Sequence, residues 1–422
     1  MTESRDESAM RVAIVGAGHA GGRVAQHLRA LGHRGPISLI GDEVHAPYER
    51  PALSKALLDG SLEAEALTLG PTEFWHADAL DAAGIAHIRT RVGNLDADAR
   101  RLSLADGRTI DFDRLVVATG GRPRRHGVPG ASLDGVHVLR TIEDSLALRR
   151  VLGPGRRLVV IGGGVIGMEV AASAVSMGTE VSVIEAGTHI MARCLPPDVS
   201  LWLAGEHQAR GVRQFMQART NGIEPGRERA LVVLGQDREG TGFRLDADAV
   251  LLSIGVDCTP DFLADSGIAG PDGIVVDARC RSTLHPWLYA AGDVACTPDP
   301  ASGRNVRQET WRNAENQSRA VAEFLMGRIE PYRETPWMWT DQYGRNIQVI
   351  GVPQAGDVAV TRGAPADGPA AIMLLRGERL GACVLIDQGR ERRHLEKLVA
   401  GGGTVDVGRL ADPTVPLREL AR

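Results

Sequence analysis

Gly16-Ala17-Gly18-His19-Ala20-Gly21 follows directly on the apolar run Val12-Ala13-Ile14-Val15, and Gly162-Gly163-Gly164-Val165-Ile166-Gly167 follows in the same way on Leu158-Val159-Val160-Ile161. Each is a Gly-x-Gly-x-x-Gly loop led by a strand-like run and followed by a helix-like one. In such a loop the first glycine permits the tight turn, the second lets a pyrophosphate approach the backbone, and the third lets helix pack on strand. The pyrophosphate then rests at the positive end of the helix, on N–H groups that have no partner within it. One loop alone is a weak signal. Two, each with strand and helix in place, predict a chain that holds two dinucleotides at once.

Outward from the first loop, apolar residues Val24, Leu28 and Leu31 recur at helical spacing until Gly32, and Pro36-Ile37-Ser38-Leu39-Ile40 reads as the next strand. Outward from the second, the helix runs from Met168 to Met177-Gly178 and the strand from Glu180 to Ile184. Two βαβ units of this kind require parallel sheets covered on both faces. An acidic residue roughly 20 positions downstream of such a loop binds adenosine ribose hydroxyls. Asp42 and Glu43 stand there in the first unit and Glu185 in the second. A carboxylate at Glu185 accepts from a free 2′-hydroxyl and repels a 2′-phosphate, and Ala186-Gly187-Thr188 supplies no arginine, so NADH is expected over NADPH. Two further apolar runs, 114–121 and 249–255, end in small residues and look like counterparts of each other. Leu288 to Val294 contains Gly292-Asp293, a helix pattern spans Ala314 to Leu325, and after Pro331–Pro336 the chain alternates short strands with turns as an α+β domain.

Bulk properties narrow the class. A chain of 422 residues is expected to form two or three domains. A net charge of −5 argues against a general nucleic-acid binder. No run of 18 apolar residues predicts a membrane span. Met1 to Met10 is polar and acidic, without the basic and apolar regions of a signal peptide, which makes the cytoplasm the default location. The five cysteines, Cys194, Cys258, Cys280, Cys296 and Cys383, form no closely spaced pair, so neither a redox dithiol nor a metal framework is expected. Lysine occurs only at 55 and 397.

The chain resembles the FAD-dependent pyridine-nucleotide reductases of the glutathione-reductase structural class, and within it the ferredoxin and rubredoxin reductases that serve bacterial oxygenases. The resemblance covers roughly residues 10 to 350. It rests on Gly16-Ala17-Gly18, Pro47-Tyr48-Glu49-Arg50-Pro51, Leu53-Ser54-Lys55, Ala118-Thr119-Gly120, Ala291-Gly292-Asp293, Glu309-Thr310-Trp311 and Trp337-Met338-Trp339-Thr340-Asp341-Gln342-Tyr343. It implies an α/β fold of two Rossmann-like dinucleotide-binding domains, 10–121 with 249–331 for FAD and 122–248 for NAD, followed by a C-terminal α+β domain at 332–422. FAD is then expected on Gly16, Gly18, Ala20, Gly21, Asp42, Arg50, Lys55, Ala118, Thr119, Gly120, Arg122, Gly292, Asp293 and Trp311. NADH is expected on Gly162, Gly164, Val165, Ile166, Gly167, Glu185 and Gly255. Lys55, Glu169 and Trp311 are the expected catalytic residues, with Lys55 and Glu169 paired beside the flavin. Ala52, where a second proline is common, and Val256–Asp261, where a more glycine- and asparagine-like run is usual, depart from the pattern.

Disulfide reductases of this class carry Cys-x-x-x-x-Cys in the stretch that here runs from Tyr48 to Leu58 without a cysteine. The flavin is therefore expected to release electrons singly to an external carrier, an NADH:ferredoxin reductase feeding a [2Fe–2S] ferredoxin and, through it, an aromatic-ring dioxygenase or haem monooxygenase. Rubredoxin is the nearest alternative acceptor. An NADH:quinone reductase, an NADH oxidase and a non-catalytic flavin-holding redox sensor remain open, as does monomer or homodimer. An acidic ferredoxin calls for a local basic patch, with Arg122, Arg124, Arg125, Arg307 and Arg312 as candidates.

Overall fold

A computed structural model describes residues 7–64, 77–227, 229–299 and 303–420. Most of the polar N-terminal decapeptide lies outside the described residues. The chain divides into two compact units. The first comprises Met1–Arg50, Glu63–Arg122 and Val256–Glu334, and the second Pro51–Leu62, Pro123–Gly255 and Thr335–Arg422.

In the first unit Val12–Val15 is the centre of an all-parallel five-stranded sheet, flanked by Ile37–Gly41 and Ile85–Arg89 on one side and by Arg114–Val117 and Leu288–Ala290 on the other. The strand buries all four of its side chains, as a strand covered on both faces must. One face packs on His19–Ala30 and Trp311–Leu325 through Val24, Leu28, Val321 and Phe324. The other packs on Leu102, Phe112, Ile274 and Trp287.

The second unit repeats this plan. Arg157–Ile161 lies between Glu180–Glu185 and Ala249–Leu252, again in parallel register. The run 249–255 therefore lies with the second sheet, in the position that Arg114–Val117 holds in the first. This corrects the boundary expected at 249. The segment Pro51–Leu62 also lies here, tied by Ser145 Oγ to Leu53 O at 2.7 Å and by Ser173 Oγ to Ser54 O at 2.8 Å.

The C-terminal part is a five-stranded antiparallel sheet from Trp337–Gln342 to Arg379–Ile386, followed by the helix Arg392–Gly401. Its strands alternate with the two-residue period of a pleated sheet. Ala370, Ile372 and Leu374 face the core that contains Leu158, Val160 and Met168, while Ala371, Met373 and Leu375 face Leu395 and Leu410. The α+β reading of this stretch holds, but it shares a core with residues 123–255 because one face of its sheet is apolar throughout.

Candidate functional site

Each glycine loop is shaped by the same contacts. Gly16 has φ +110° and donates to Ile40 O at 2.7 Å; Gly162 has φ +107° and donates to Ile184 O at 2.8 Å. A side chain at Gly16 would strike Ala118 O, and one at Gly162 would strike Ser253 O. Gly21 and Gly167 lie so close to the carbonyls of Gly16 and Gly162 that only hydrogen fits. The third glycine thus lets the helix approach the strand. Helices begin at His19 and Val165, and neither N-cap glycine supplies a side-chain hydrogen bond. A Cβ at Gly164 would meet no atom within 4 Å, and one at Gly18 would meet only the Arg50 guanidinium, 3.1 Å away. Bare backbone, uncapped N–H groups and, at the first loop, a guanidinium fit a diphosphate at each helix start.

Within the first unit, Arg50 is held by Glu43 Oε1 at 2.6 Å and by the Tyr48 hydroxyl at 3.2 Å, and Tyr48 donates to Glu43 Oε2 at 2.5 Å. Burial opposes the charge of Arg50, but Tyr48, Glu43 and Asp293 outweigh it and leave its pKa above the ordinary value. Asp293 thus acts electrostatically on Arg50 from far along the chain. Gly292 before it has φ +76° and donates to Gln317 Oε1 at 2.9 Å. Trp311 is the first residue of its helix, and its ring centre lies 5.4 Å from that of His19, inside the first loop. The structure thus brings Gly16–Gly21, Arg50, Ala118, Asp293 and Trp311 into one neighbourhood.

Two expected residues behave differently. Register pairs Ile40 with Val15 and Ile184 with Ile161, so the counterpart of Glu185 is Gly41 rather than Asp42. Gly41 packs on Ala17, with no room for a side chain. Asp42 makes an exposed ion pair with Arg91 at 2.7 Å, and Glu43 is the acid that turns to Arg50. Arg122 pairs with Asp261 at 3.0 Å on exposed surface. The expected basic patch does not stand free either: Arg307 pairs with Glu309, Arg312 with Glu334, and Arg125 donates to backbone carbonyls of Ala131 and Val136.

Within the second unit, Glu185 Oε2 accepts from Gly163 N and Oε1 from Gly187 N, each at 2.6 Å. Both oxygens retain lone pairs for further donors. Val165 and Ile166 open the helix, and Ile166 is exposed at its start. Gly255, with φ +95°, accepts from Arg124 N at 3.0 Å. On the same helix as Val165, Glu169 is 3% exposed, and its Oε1 lies 3.0 Å from Lys55 Nζ. The expected pair is formed. Thr340 Oγ1 donates to Glu169 Oε1 at 2.7 Å and Ser54 Oγ to Oε2 at 2.5 Å. Lys55 Nζ also lies 3.9 Å from Asp341 Oδ2 and 5.6 Å from the centre of the Trp339 ring. Sequence alone marks Ser54 and Thr340 only as members of the motifs around Lys55 and Trp339. Strand alternation, which turns residues 338, 340 and 342 to one face, was the signal that could have singled out Thr340.

Residues 10–318 match the pyridine nucleotide-disulphide oxidoreductase family. The chain belongs to that family. Residues 337–421 match a reductase C-terminal family. The chain is 40% identical, over 96% of its length and 98% of the relative's, to the ferredoxin--NAD(+) reductase component of the anthranilate 1,2-dioxygenase system of Burkholderia cepacia. Among solved structures, a ferredoxin reductase from Rhodopseudomonas palustris is 33% identical with a TM-score of 0.90, covering 98% of this chain and 100% of its own. Putidaredoxin reductase, in a covalent complex with putidaredoxin, is 34% identical with a TM-score of 0.89, covering 97% of this chain and 98% of its own.

Against the family's name, the five cysteines of this pyridine nucleotide-disulphide oxidoreductase form no disulfide with one another. Burial pushes the thiols of Cys194 and Cys280 up to about 12 and that of Cys296 up to about 11, and it raises Cys383 as well. Thiols so far from ionisation are poor nucleophiles. Among the described residues, no cluster of metal-ligating side chains occurs and no helix is long and apolar enough to cross a membrane.

Proposed function

We propose that this chain is an FAD-containing NADH:ferredoxin reductase, which passes electrons from NADH to a [2Fe–2S] ferredoxin that feeds an oxygenase. The first unit would hold FAD: Gly16, Gly18 and Gly21 would admit its diphosphate, with Arg50 and Asp293 as the polar groups that would hold it. The second unit binds NADH on Gly162–Gly167, with Glu185 taking the ribose hydroxyls and excluding a 2′-phosphate. The bound flavin supplies the conversion of a two-electron hydride donor into a one-electron source. The balance is one NADH and two oxidised ferredoxins giving NAD⁺, two reduced ferredoxins and one proton. The protein contributes placement and charge. Glu169 holds Lys55 Nζ, and a fixed cation favours negative charge that develops near it.

The observation that carries this reading is the Lys55–Glu169 pair in a chain with two dinucleotide loops and no dithiol. An internal disulfide would take electrons in pairs. Without one, they leave to a separate carrier. The relatives' names point to ferredoxin as that carrier.

The test is anaerobic. Purified protein is expected to show flavin absorbance that one equivalent of NADH bleaches, and then to reduce a [2Fe–2S] ferredoxin from a ring-hydroxylating system faster than a rubredoxin. A protein that retains no flavin, or whose reduced flavin passes electrons to rubredoxin alone, would falsify this assignment.

A further inference from the structure

The Glu169 carboxylate is the end of a longer hydrogen-bonded chain inside the second unit. Thr340 has one hydroxyl proton, and it is given to Glu169 Oε1 at 2.7 Å. Its oxygen therefore accepts, from Gln342 Nε2 at 3.0 Å. That contact orients the amide, whose other face turns Oε1 to His207 Nε2 at 2.7 Å. An amide oxygen only accepts, so His207 carries its proton on Nε2 and its Nδ1 is an acceptor. The Tyr343 hydroxyl, 2.7 Å from Nδ1, is then the donor. Every link points the same way, from Tyr343 through His207, Gln342 and Thr340 to Glu169.

Three further observations show that this chain is built in. Thr340, Gln342 and His207 are buried, at 0%, 2% and 0% exposure. Tyr343 sits at φ +55° in the two-residue turn Tyr343-Gly344, a left-handed position that ordinarily takes Asn, Asp or Gly. A tyrosine held there indicates that its ring is wanted at that place, where Arg210 lies 4.3 Å from the ring centre. Burial also lowers the pKa of His207 to about 4 and raises that of Tyr343, so both stay neutral through the physiological range. Consecutive bonds oriented alike polarise one another.

We propose that Tyr343, His207, Gln342 and Thr340 are positioning residues that lock the Glu169 carboxylate, and through it Lys55 Nζ, in the orientation that hydride entry requires. The inference rests on the NADH:flavin reading above. An amide in mid-chain is a poor proton conductor, so the role is orientation rather than proton transfer. Thr340 supplies the last donor and Ser54 the opposing one, at 2.5 Å on Oε2. Without Thr340 the carboxylate keeps Ser54 on Oε2 but loses the hydroxyl that fixes Oε1, and Lys55 has Asp341 within reach as an alternative partner.

The experiment compares Thr340→Val, Thr340→Ser and Tyr343→Phe in the flavin-loaded protein, by stopped-flow reduction with NADH and by ¹⁵N NMR of the lysine ammonium groups. The sequence has two lysines, so a Lys397→Arg background leaves Lys55 as the single signal. Thr340→Val is expected to slow flavin reduction about tenfold at saturating NADH, the size of one hydrogen bond to a charged group, and to broaden the Lys55 signal. NADH affinity is expected to stay unchanged. Thr340→Ser restores both readouts, and Tyr343→Phe moves both in the same direction by a smaller factor. The proposal is overturned if Thr340→Val reduces at the wild-type rate, or if Thr340→Ser is as slow as Thr340→Val. Failure of NADH to bleach the wild type removes the assigned function instead. The lysine signal then still decides whether Thr340 orders Lys55.

Discussion

At the scale of single residues, Glu185 does two things at once. It ends its strand at the position proposed to take the nucleotide ribose, and it holds the glycine loop closed through two N–H bonds at 2.6 Å. A hydrogen bond to a charged group contributes about 1.5–3 kcal/mol. Glu185→Ala is therefore expected to raise the KM for NADH at least tenfold, where tenfold corresponds to about 1.4 kcal/mol. It is also expected to narrow the preference over NADPH, since the repelling charge is gone. Steady-state kinetics with both nucleotides test this. An unchanged ratio of kcat/KM values would show that Glu185 does not touch the 2′ position. The acid of the first loop works differently. Glu43 is bound to Arg50 and Tyr48, so its substitution should weaken flavin retention rather than nucleotide choice.

At the scale of elements, the expected helix from Ala314 begins one turn earlier, at Trp311, because Thr310 caps it by accepting from Asn313 N at 3.1 Å. The cap makes Trp311 the first helical residue. Thr310→Ala is expected to cost about 1 kcal/mol, with Thr310→Ser close to wild type. Chemical denaturation checks it, and equal midpoints for wild type and Thr310→Ala would dismiss the cap. The same comparison shows what sequence can carry. Glycine loops and parallel strands were legible because each follows from spacing, whereas the Lys55–Glu169 pair was implied by the family resemblance. Asp42 lies one residue beyond the register counterpart of Glu185, which sequence could not show because strand register is a tertiary property: Gly41 holds that place, packed on Ala17. The convergence of side chains behind Glu169 was not legible, for a related reason. Ser54, His207 and the Thr340–Gln342 strand come from three distant parts of the sequence, and only packing brings them into line.

At the scale of the whole molecule, two groups far apart in the sequence, His207 and Glu315, respond to acid in different windows. In the second unit, burial lowers His207 from 6.5 to about 4. A group whose folded pKa lies below its unfolded one stabilises the fold above the unfolded value and loses that contribution as pH falls towards the folded one. The window for His207 is therefore 6.5 down to about 4. In the first unit, burial opposes ionisation of Glu315, but His19 at 2.9 Å and Arg23 at 2.6 Å outweigh it and bring its pKa from 4.5 to about 2. By the same sign argument its contribution fades between 4.5 and about 2. Acidification should thus remove the His207 contribution before that of Glu315. In calorimetric scans, the wild-type advantage in Tm over His207→Asn is expected to shrink between pH 6.5 and 4, while the advantage over Glu315→Gln is retained until pH falls below 4.5. If the two advantages decline together, the separate assignment of these two groups is wrong. If the Glu315 advantage disappears first, the His19–Glu315–Arg23 cluster is not formed as described.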